Sequence, residues 1–251
     1  MINYIKSENY RLLHSKWFYM YTLICNFLII AAAVVLYYSE KYVNQFPYAN
    51  LKFYLINVVT SAVLIVVIGV LMNIMLYDKE SKALMKVSTA MDISIPAMFL
   101  GKFIVFLFYF TVMCLICLIT VIISGNVFLG YDADVMNQFI ISLANMLPLI
   151  FGGLALGHTL NSSRLKSSTA VFLTVIIYFY VPNIFLVLKN FNDGLGWIYK
   201  FSPGALFSEN MRMYASGDNT LGLHYWLIGL SVGVVVLVIG FLYARKFEFK
   251  D

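Results

Sequence analysis

The sequence predicts an all-α integral membrane protein with six transmembrane helices and with both termini on the cytoplasmic side. Of its 251 residues, 62% are hydrophobic and only 12% are charged, whereas a soluble domain carries about 25% charged residues. The apolar residues form six stretches without Asp, Glu, Lys or Arg, each at least 22 residues long. About 20 apolar residues in a helix cross a hydrocarbon layer of roughly 30 Å. These stretches do not alternate between apolar and polar residues, which favours helices over a β-barrel.

We expect one membrane domain over residues 1–251, because every predicted connection is too short to fold independently. Residues 1–16 are expected to form an interface helix that precedes the first span. The six spans are predicted at about 17–38, 54–77, 103–124, 137–160, 168–188 and 223–244.

The orientation follows from the basic residues between the spans. With both termini inside, twelve of the 17 Lys and Arg residues fall in cytoplasmic segments and five in outer segments. Short cytoplasmic connections are enriched in Lys and Arg, so this orientation is favoured. The net charge of +5 is therefore mostly a topology signal, and we expect no nucleic-acid partner.

The N-terminal segment has the pattern of an amphipathic helix that lies in the inner interface. An apolar stripe of Tyr4, Ile5, Leu12 and Leu13 is flanked by charged side chains. The charged residues around the remainder of the helix are Lys6, Glu8, Arg11 and Lys16. The alternative is a positively charged flank that only fixes the topology.

The inner connection between the second and third predicted spans begins with a short helical pattern. Acidic residues come first and lysines later, as the helix dipole prefers. One side of this helix is apolar and could bind a groove on a partner. The residues of interest are Glu80, Lys82, Ala83, Leu84, Lys86 and Val87. The alternative is an ordinary solvated loop. Pro96 is expected in the first turn of the next helix.

The outer connection before the sixth span has an apolar middle that is broken by Pro203 and Gly204. It is too short and too polar to cross the membrane twice. A re-entrant or interface-lying pair of short helices fits this composition.

Polar residues within the spans are expected to stabilise the bundle. Asn26, Asn57, Asn73 and Asn145 are predicted to be interhelical hydrogen-bond partners, and a satisfied or water-facing imidazole is predicted for His158. The pairs Gly153/Gly157 and Gly229/Gly233 are predicted to allow close packing within the bundle rather than to form a dimer face.

The chemistry of several other protein classes is missing. The predicted spans contain no charged residue, whereas ion-coupled carriers usually place ionisable groups there. The three histidines are far apart, which disfavours a zinc site. The pair Gly125/Gly130 is followed by Tyr131 rather than by the lysine of a phosphate-binding loop. We therefore expect a non-catalytic subunit that binds no cofactor itself, and any nucleotide energy must come from another polypeptide.

The order of these features resembles the permease subunits of ABC-2 type ABC transporters. The similarity rests on the amphipathic leader with Glu8, Arg11 and Lys16, and on the inner connection with Asp78–Glu80 and Ala83–Lys86. It continues with Gly101–Lys102 before the third span, the apolar outer segment before the sixth span and the terminal Tyr243–Phe247.

The resemblance implies a permease dimer, with identical or paralogous copies, that sits on two separate ATPase subunits in a bacterial plasma membrane. ATP and Mg²⁺ would be bound by those subunits. The leader helix and the helix near residues 78–88 would contact them, and the first and fifth spans would form the dimer seam. The small size resembles the branch that exports amphipathic or antimicrobial peptides, or that confers bacteriocin immunity.

Two other functions stay open at this point. One is a stand-alone membrane protein, such as a carrier, a channel or an immunity protein, which needs no ATPase partner. The other is an intramembrane enzyme, although the sequence offers no nucleophile or metal constellation for it.

Overall fold

The computed structural model describes residues 2–43, 46–163, 165–191 and 193–248. These residues contain α-helices and no β-strand, which confirms the predicted all-α class. In chain order the helices are α1 (Ile2–Leu13), α2 (Lys16–Tyr42), α3 (Leu51–Thr60), α4 (Ala62–Ile74), α5 (Lys79–Ala90), α6 (Ile95–Leu129), α7 (Ala133–Ser162), α8 (Ser167–Val175), α9 (Val181–Leu188), α10 (Asp193–Lys200), α11 (Pro203–Ser216) and α12 (Leu223–Glu248). A 3-10 turn at Met75–Tyr77 follows α4, and a π-helical turn at Ile176–Tyr180 joins α8 to α9.

Five helical segments in the described part of the chain are long and apolar enough to cross a membrane. They are α2, α6, α7, the continuous segment Ser167–Leu188, and α12. The bent pair formed by α3 and α4 would make a sixth if it counts as one span. Several long apolar helices therefore support a multi-pass membrane protein.

The second predicted span is not one straight helix. Helix α3 ends at Thr60, α4 begins at Ala62, and their axes differ by 52°. The Ser61 hydroxyl donates to the Asn57 carbonyl oxygen at 2.5 Å. A serine that bonds back to the carbonyl four residues earlier tends to bend a helix, which gives a physical reason for the break.

Helix α7 is at the centre of the bundle, where glycines allow close contact with two neighbours. A Cβ atom on Gly229 of α12 would lie 2.4 Å from the Pro148 carbonyl carbon of α7. A Cβ atom on Gly157 would lie 2.3 Å from a methyl group of Val70 on α4. The prediction that these small residues pack within the bundle is confirmed.

The helix of the third predicted span begins at Ile95, before residue 103. Ser94 caps α6, because its hydroxyl accepts from the Ala97 amide at 3.3 Å, and Pro96 lies in the first turn as predicted. The helix therefore already includes Gly101 and Lys102, two turns from its start. Lys102, which the sequence placed in the inner connection, is a buried residue of a long helix.

Two short helices, α10 and α11, lie in the connection between α9 and α12. Ser202 caps α11 with Pro203 in the first turn, and Gly217 ends the helix with φ of +84°. Only glycine adopts this left-handed backbone at little cost. A pair of short helices is thus observed, and how deeply it enters the membrane stays a prediction.

Candidate functional site

The predicted partner-binding helix exists as α5, and it projects an apolar face. Its residues with exposed side chains include Ala83, Leu84, Lys86 and Val87. Leu84 and Val87 are 39% and 53% exposed. Glu80 and Lys82 belong to the same helix, but their side chains lie outside the described part of the structure.

Helix α1 packs against α6 through one face. Tyr4, Glu8 and Leu12 are spaced four residues apart, so they share a side of the helix, and all three are buried. Gly101 of α6 leaves room for this contact, since a Cβ atom there would lie 3.3 Å from the Tyr4 ring. Glu8 therefore lies on the packed face and not on the solvated face that the sequence pattern indicated.

The buried Glu8 side chain forms an ion pair with Lys102. Lys102 Nζ lies 2.8 Å from Glu8 Oε1, and the two side chains are 0% and 1% exposed. Lys102 also donates to the Leu76 carbonyl oxygen and to Ser81 Oγ, which uses all three donors of the ammonium group. The Tyr4 hydroxyl donates to the same Glu8 oxygen at 2.8 Å. A buried charge pair needs this degree of hydrogen bonding to offset its desolvation.

Arg11 extends the pair to the start of α5. Its Nη2 and Nε donate to Glu8 Oε2 at 2.7 and 3.2 Å. Its Nη1 donates to Asp78 Oδ1 at 2.8 Å. The same Asp78 oxygen caps α5 by accepting from the Ser81 amide at 2.8 Å. One guanidinium group thus links α1 to the first turn of α5.

We call Tyr4, Glu8, Arg11, Asp78, Ser81 and Lys102 the inner ionic cluster. It contains two acids and two bases, so its formal charges cancel. It ties together three separate parts of the chain, namely α1, the first turn of α5 and α6.

The ionisation of Glu8 reflects these partners. Burial alone would raise the pKa of the Glu8 carboxyl, but the charges of Lys102 and Arg11 and the Tyr4 hydrogen bond outweigh it, so the pKa lies below its ordinary value. Burial and the adjacent Glu8 charge raise the pKa of Tyr4 well above its ordinary range. Tyr4 therefore remains a hydrogen-bond donor and Glu8 an anion at neutral pH.

A second polar group adjoins the inner ionic cluster inside the bundle. Lys102 Nζ lies 5.1 Å from the centre of the Tyr77 ring, and the Tyr77 hydroxyl lies 3.3 Å from His158 Nε2. His158 is fully buried, with Nε2 at 3.1 Å from the Phe99 carbonyl oxygen and Nδ1 at 2.9 Å from Asn73 Nδ2. The imidazole is therefore satisfied on both nitrogens, and it joins α4, α6 and α7.

A third polar group holds α11 and the following turn on the other end of α7. Asn145 Nδ2 donates to Asn210 Oδ1 at 3.2 Å and to the Thr220 carbonyl oxygen at 2.9 Å. Asn210 donates to the Ser142 carbonyl oxygen at 3.1 Å, and Asn219 donates to Ser142 Oγ. We call Ser142, Asn145, Asn210 and Asn219 the outer amide cluster; all four residues are buried.

Of the predictions for the other two amides, one is confirmed and one is not. Asn26 accepts from Thr120 and lies 3.7 Å from the Cys117 sulfur, so it joins α2 to α6 as predicted. Asn57 is exposed and donates to the Phe53 carbonyl oxygen of its own helix at 2.7 Å. Its predicted interhelical role is therefore not observed, because no other helix packs on that side of α3 among the described residues.

The structure brings only some of the predicted site residues together. Glu8 and Arg11 meet at the inner ionic cluster, while Lys16 lies on the surface at the start of α2. Asp78, Ser81 and Lys102 were not predicted as site residues. The capping signal Ser94–Pro96 could have indicated Lys102, because it places that lysine two turns inside a helix rather than in a loop.

In comparisons with known proteins, no family model and no curated protein matches this chain.

Proposed function

We propose that this chain is the transmembrane permease subunit of an ATP-driven ABC exporter, powered by a separate ATPase subunit. In this proposal the bent pair α3–α4 counts as one span, which gives six spans with both termini in the cytoplasm of a bacterial cell. α10 and α11 form the re-entrant outer segment. The distribution of Lys and Arg supports this orientation.

One observation carries the proposal: the exposed amphipathic helix α5 is attached at its start to two other helices. A half-exposed ion pair, Arg11–Asp78, joins it to α1, and a buried hydrogen bond from Lys102 to Ser81 joins it to α6. A free surface loop would not need a bond to a buried ammonium group, and hydrogen bonds to charged groups contribute about 1.5–3 kcal/mol. Helix α5 presents Leu84 and Val87 outward, while Asp78 and Ser81 at its start bind Arg11 and Lys102. This arrangement suits a partner protein that binds α5 outside the membrane and moves it.

The inner ionic cluster would then transmit the movement of α5 to the rest of the bundle. Breaking a buried charge pair costs several kcal/mol, so α1, the start of α5 and the inner end of α6 are expected to move together. ATP-driven closing of two ATPase subunits would shift these elements as one unit and open or close the inner gate. ATP and Mg²⁺ would remain on the partner.

Apolar surface on α2 supports a second permease copy beside the first. Leu23, Phe27 and Leu28 are 69%, 66% and 59% exposed along this helix. Such a face suits lipid or another helix, and in this proposal the first and fifth spans form the seam between identical or paralogous copies. The cargo would be an amphipathic or antimicrobial peptide, or another hydrophobic compound, that moves outward.

The proposal is tested with the ATPase encoded beside this chain, identified by its own G-x-x-x-x-G-K-[ST] loop. Leu84→Asp should lower the ATPase activity that co-purifies with tagged permease by more than about tenfold, since a charge would replace an apolar anchor of the contact. Thr89→Asp is the matched control. It adds the same charge to the same exposed helix, but well away from the Leu84 and Val87 face.

Equal retention of the ATPase by both variants would contradict the docking role of α5. Reconstitution provides an independent check, because the chain alone, without ATP, should accumulate no peptide against a gradient in liposomes. Accumulation driven by an ion gradient under those conditions would instead favour a stand-alone carrier.

A further inference from the structure

A groove of about 970 Å³ opens beside the turn that joins α1 to α2. Its apolar lining includes Leu71 and Ile74 at the end of α4, Met75 in the turn that follows, Trp17 and Tyr21 from α2, and Leu84 from α5. All of these except Leu84 belong to segments that are apolar enough to lie in the membrane. The volume is within the range that accommodates small organic ligands, about 300–1,000 Å³.

The charged residues that line the same groove are Arg11 and Lys16, with Asp78 as the one acid among the described residues. The other polar residues of the lining are Ser7, Tyr10, His14 and Ser15. Asp78 already binds Arg11 at 2.8 Å. Within the described part of the chain, the Lys16 ammonium group has no ion-pair partner, and its side chain is exposed. Because Arg11 belongs to the inner ionic cluster, where Glu8 and Asp78 pair with it, the unbalanced positive charge at the groove is that of Lys16.

The start of α2 adds to this positive character. Ser15 is the N-cap residue, but its hydroxyl donates to Met75 Sδ at 3.7 Å and makes no capping bond. The first turn of α2 thus receives no side-chain acceptor from its cap. A helix N-terminus carries a partial positive charge that favours an anion nearby.

We propose that this groove binds an anionic phospholipid. The phosphate would lie against Lys16 and Arg11, and an acyl chain would lie along Leu71, Ile74 and Met75. A free phosphate ion would leave this apolar lining in contact with water, and an uncharged hydrophobic compound would leave Lys16 without an anion. A zwitterionic lipid would bring its own cation to a basic site.

The position of the groove fits a lipid from one leaflet. It lies where α2 begins and α4 ends, which is the cytoplasmic side in the orientation proposed above. The cytoplasmic leaflet carries most of the anionic lipid, and each Lys or Arg near it contributes about 1 kcal/mol of attraction, or about fivefold in affinity. This inference depends on the membrane location of the chain and not on its proposed transport activity.

Trp17 provides a direct readout, because it lines the groove. The sequence has three tryptophans, so Trp197→Phe with Trp226→Phe leaves Trp17 as the only one. This protein, without any ATPase, is reconstituted in phosphatidylcholine vesicles that contain an increasing fraction of phosphatidylglycerol brominated on one acyl chain. We expect the brominated phosphatidylglycerol to quench Trp17 at about fivefold lower mole fraction than brominated phosphatidylcholine does.

Two substitutions and one control assign the binding to the groove. Lys16→Gln should abolish the preference for phosphatidylglycerol. Ile74→Phe should weaken quenching, because the larger side chain would narrow the groove where the acyl chain lies. Lys6→Gln removes one charge from the exposed surface of α1, away from the groove, and should leave the preference intact. Equal quenching by the two lipids, or an equal effect of Lys6→Gln and Lys16→Gln, would overturn the proposal. Transport and ATPase assays do not enter this test, so its failure leaves the proposed function standing.

Discussion

The two ends of the bundle attach short helices by different chemistry. The inner ionic cluster joins α1 and the start of α5 to α6 through four charged side chains. The outer amide cluster joins α11 to α7 through neutral amide and hydroxyl groups. Both clusters are largely buried, yet only the inner one depends on charges that must be balanced.

Because of this difference, we expect substitutions to destabilise the two ends of the bundle in different ways. Removing one partner of a buried ion pair leaves an uncompensated charge and costs about 3–5 kcal/mol. Losing one neutral hydrogen bond within a membrane bundle costs about 0.6–2 kcal/mol, because the polar group also finds partners in the unfolded chain. The inner end should therefore come apart as a unit, while the outer end should loosen in steps.

The largest effect is expected from Lys102→Met. This change removes the ammonium group that binds Glu8, and it leaves two acids, Glu8 and Asp78, with Arg11 as the one remaining base of the cluster. We expect a loss of about 3–5 kcal/mol in the free energy of unfolding, measured by thermal or SDS denaturation in mild detergent. The double variant Glu8→Gln with Lys102→Met removes both charges and should recover much of this loss. If the single and double variants are equally unstable, the ionic account is wrong.

Acid should weaken the inner end next. The pKa of Glu8 in the folded protein lies below its ordinary value of 4.5, so the unfolded chain binds the proton more readily than the folded one. The contribution of Glu8 is then fully present above pH 4.5 and is lost as the pH falls through the lower, folded value. The denaturation midpoint of the parent protein should drop in this acid range, and the double variant without both charges should lose less.

A smaller effect is expected from Asn145→Leu at the outer end. It removes the amide that binds Asn210, Thr220 and the Gly222 amide. We expect a loss of about 1–2 kcal/mol in the same unfolding assay, with no added dependence on acid. Asn57→Leu is the matched control, since the Asn57 side chain is exposed and, among the described residues, its amide donates to Phe53 of its own helix. Comparable losses in the two variants would contradict the role assigned to the outer amide cluster.

The smallest effect is expected from Asp78→Asn. The amide oxygen can still cap α5, but the charge that faces Arg11 is removed. Asp78 is about half exposed in this pair, at 49%, so the loss should stay below about 1 kcal/mol and should shrink further in high salt. A loss as large as that of Lys102→Met would show that the exposed edge of the cluster is as important as its buried centre.

The sequence predicted the elements of this fold better than their connections. Long uncharged stretches define spans because helix length and hydrocarbon thickness are fixed quantities. Local capping signals likewise placed Pro96 correctly in the first turn of α6. The bend at Ser61 was missed, because a back-bonded serine in an apolar run leaves the hydropathy pattern unchanged.

The candidate site was predicted only in part for a different reason. Glu8 and Lys102 are 94 residues apart, and no local pattern indicates that a charged residue at a helix surface will be paired and buried. The sequence pattern therefore places Glu8 on the charged side of an interface helix and Lys102 at the end of the inner connection, where it counts toward the orientation. The amphipathic pattern of α5 is local, so its apolar face at Leu84 and Val87 was predictable.

The contact between Gly229 and Pro148 has a mechanical consequence. Where two helices meet backbone to backbone, no layer of adjustable side chains separates them, and neither can slide or roll without a direct clash. We therefore expect α7 and α12 to move as one rigid pair. Spin labels on the two helices should keep a constant separation, so this pair can serve as a fixed reference when movements of other helices are measured.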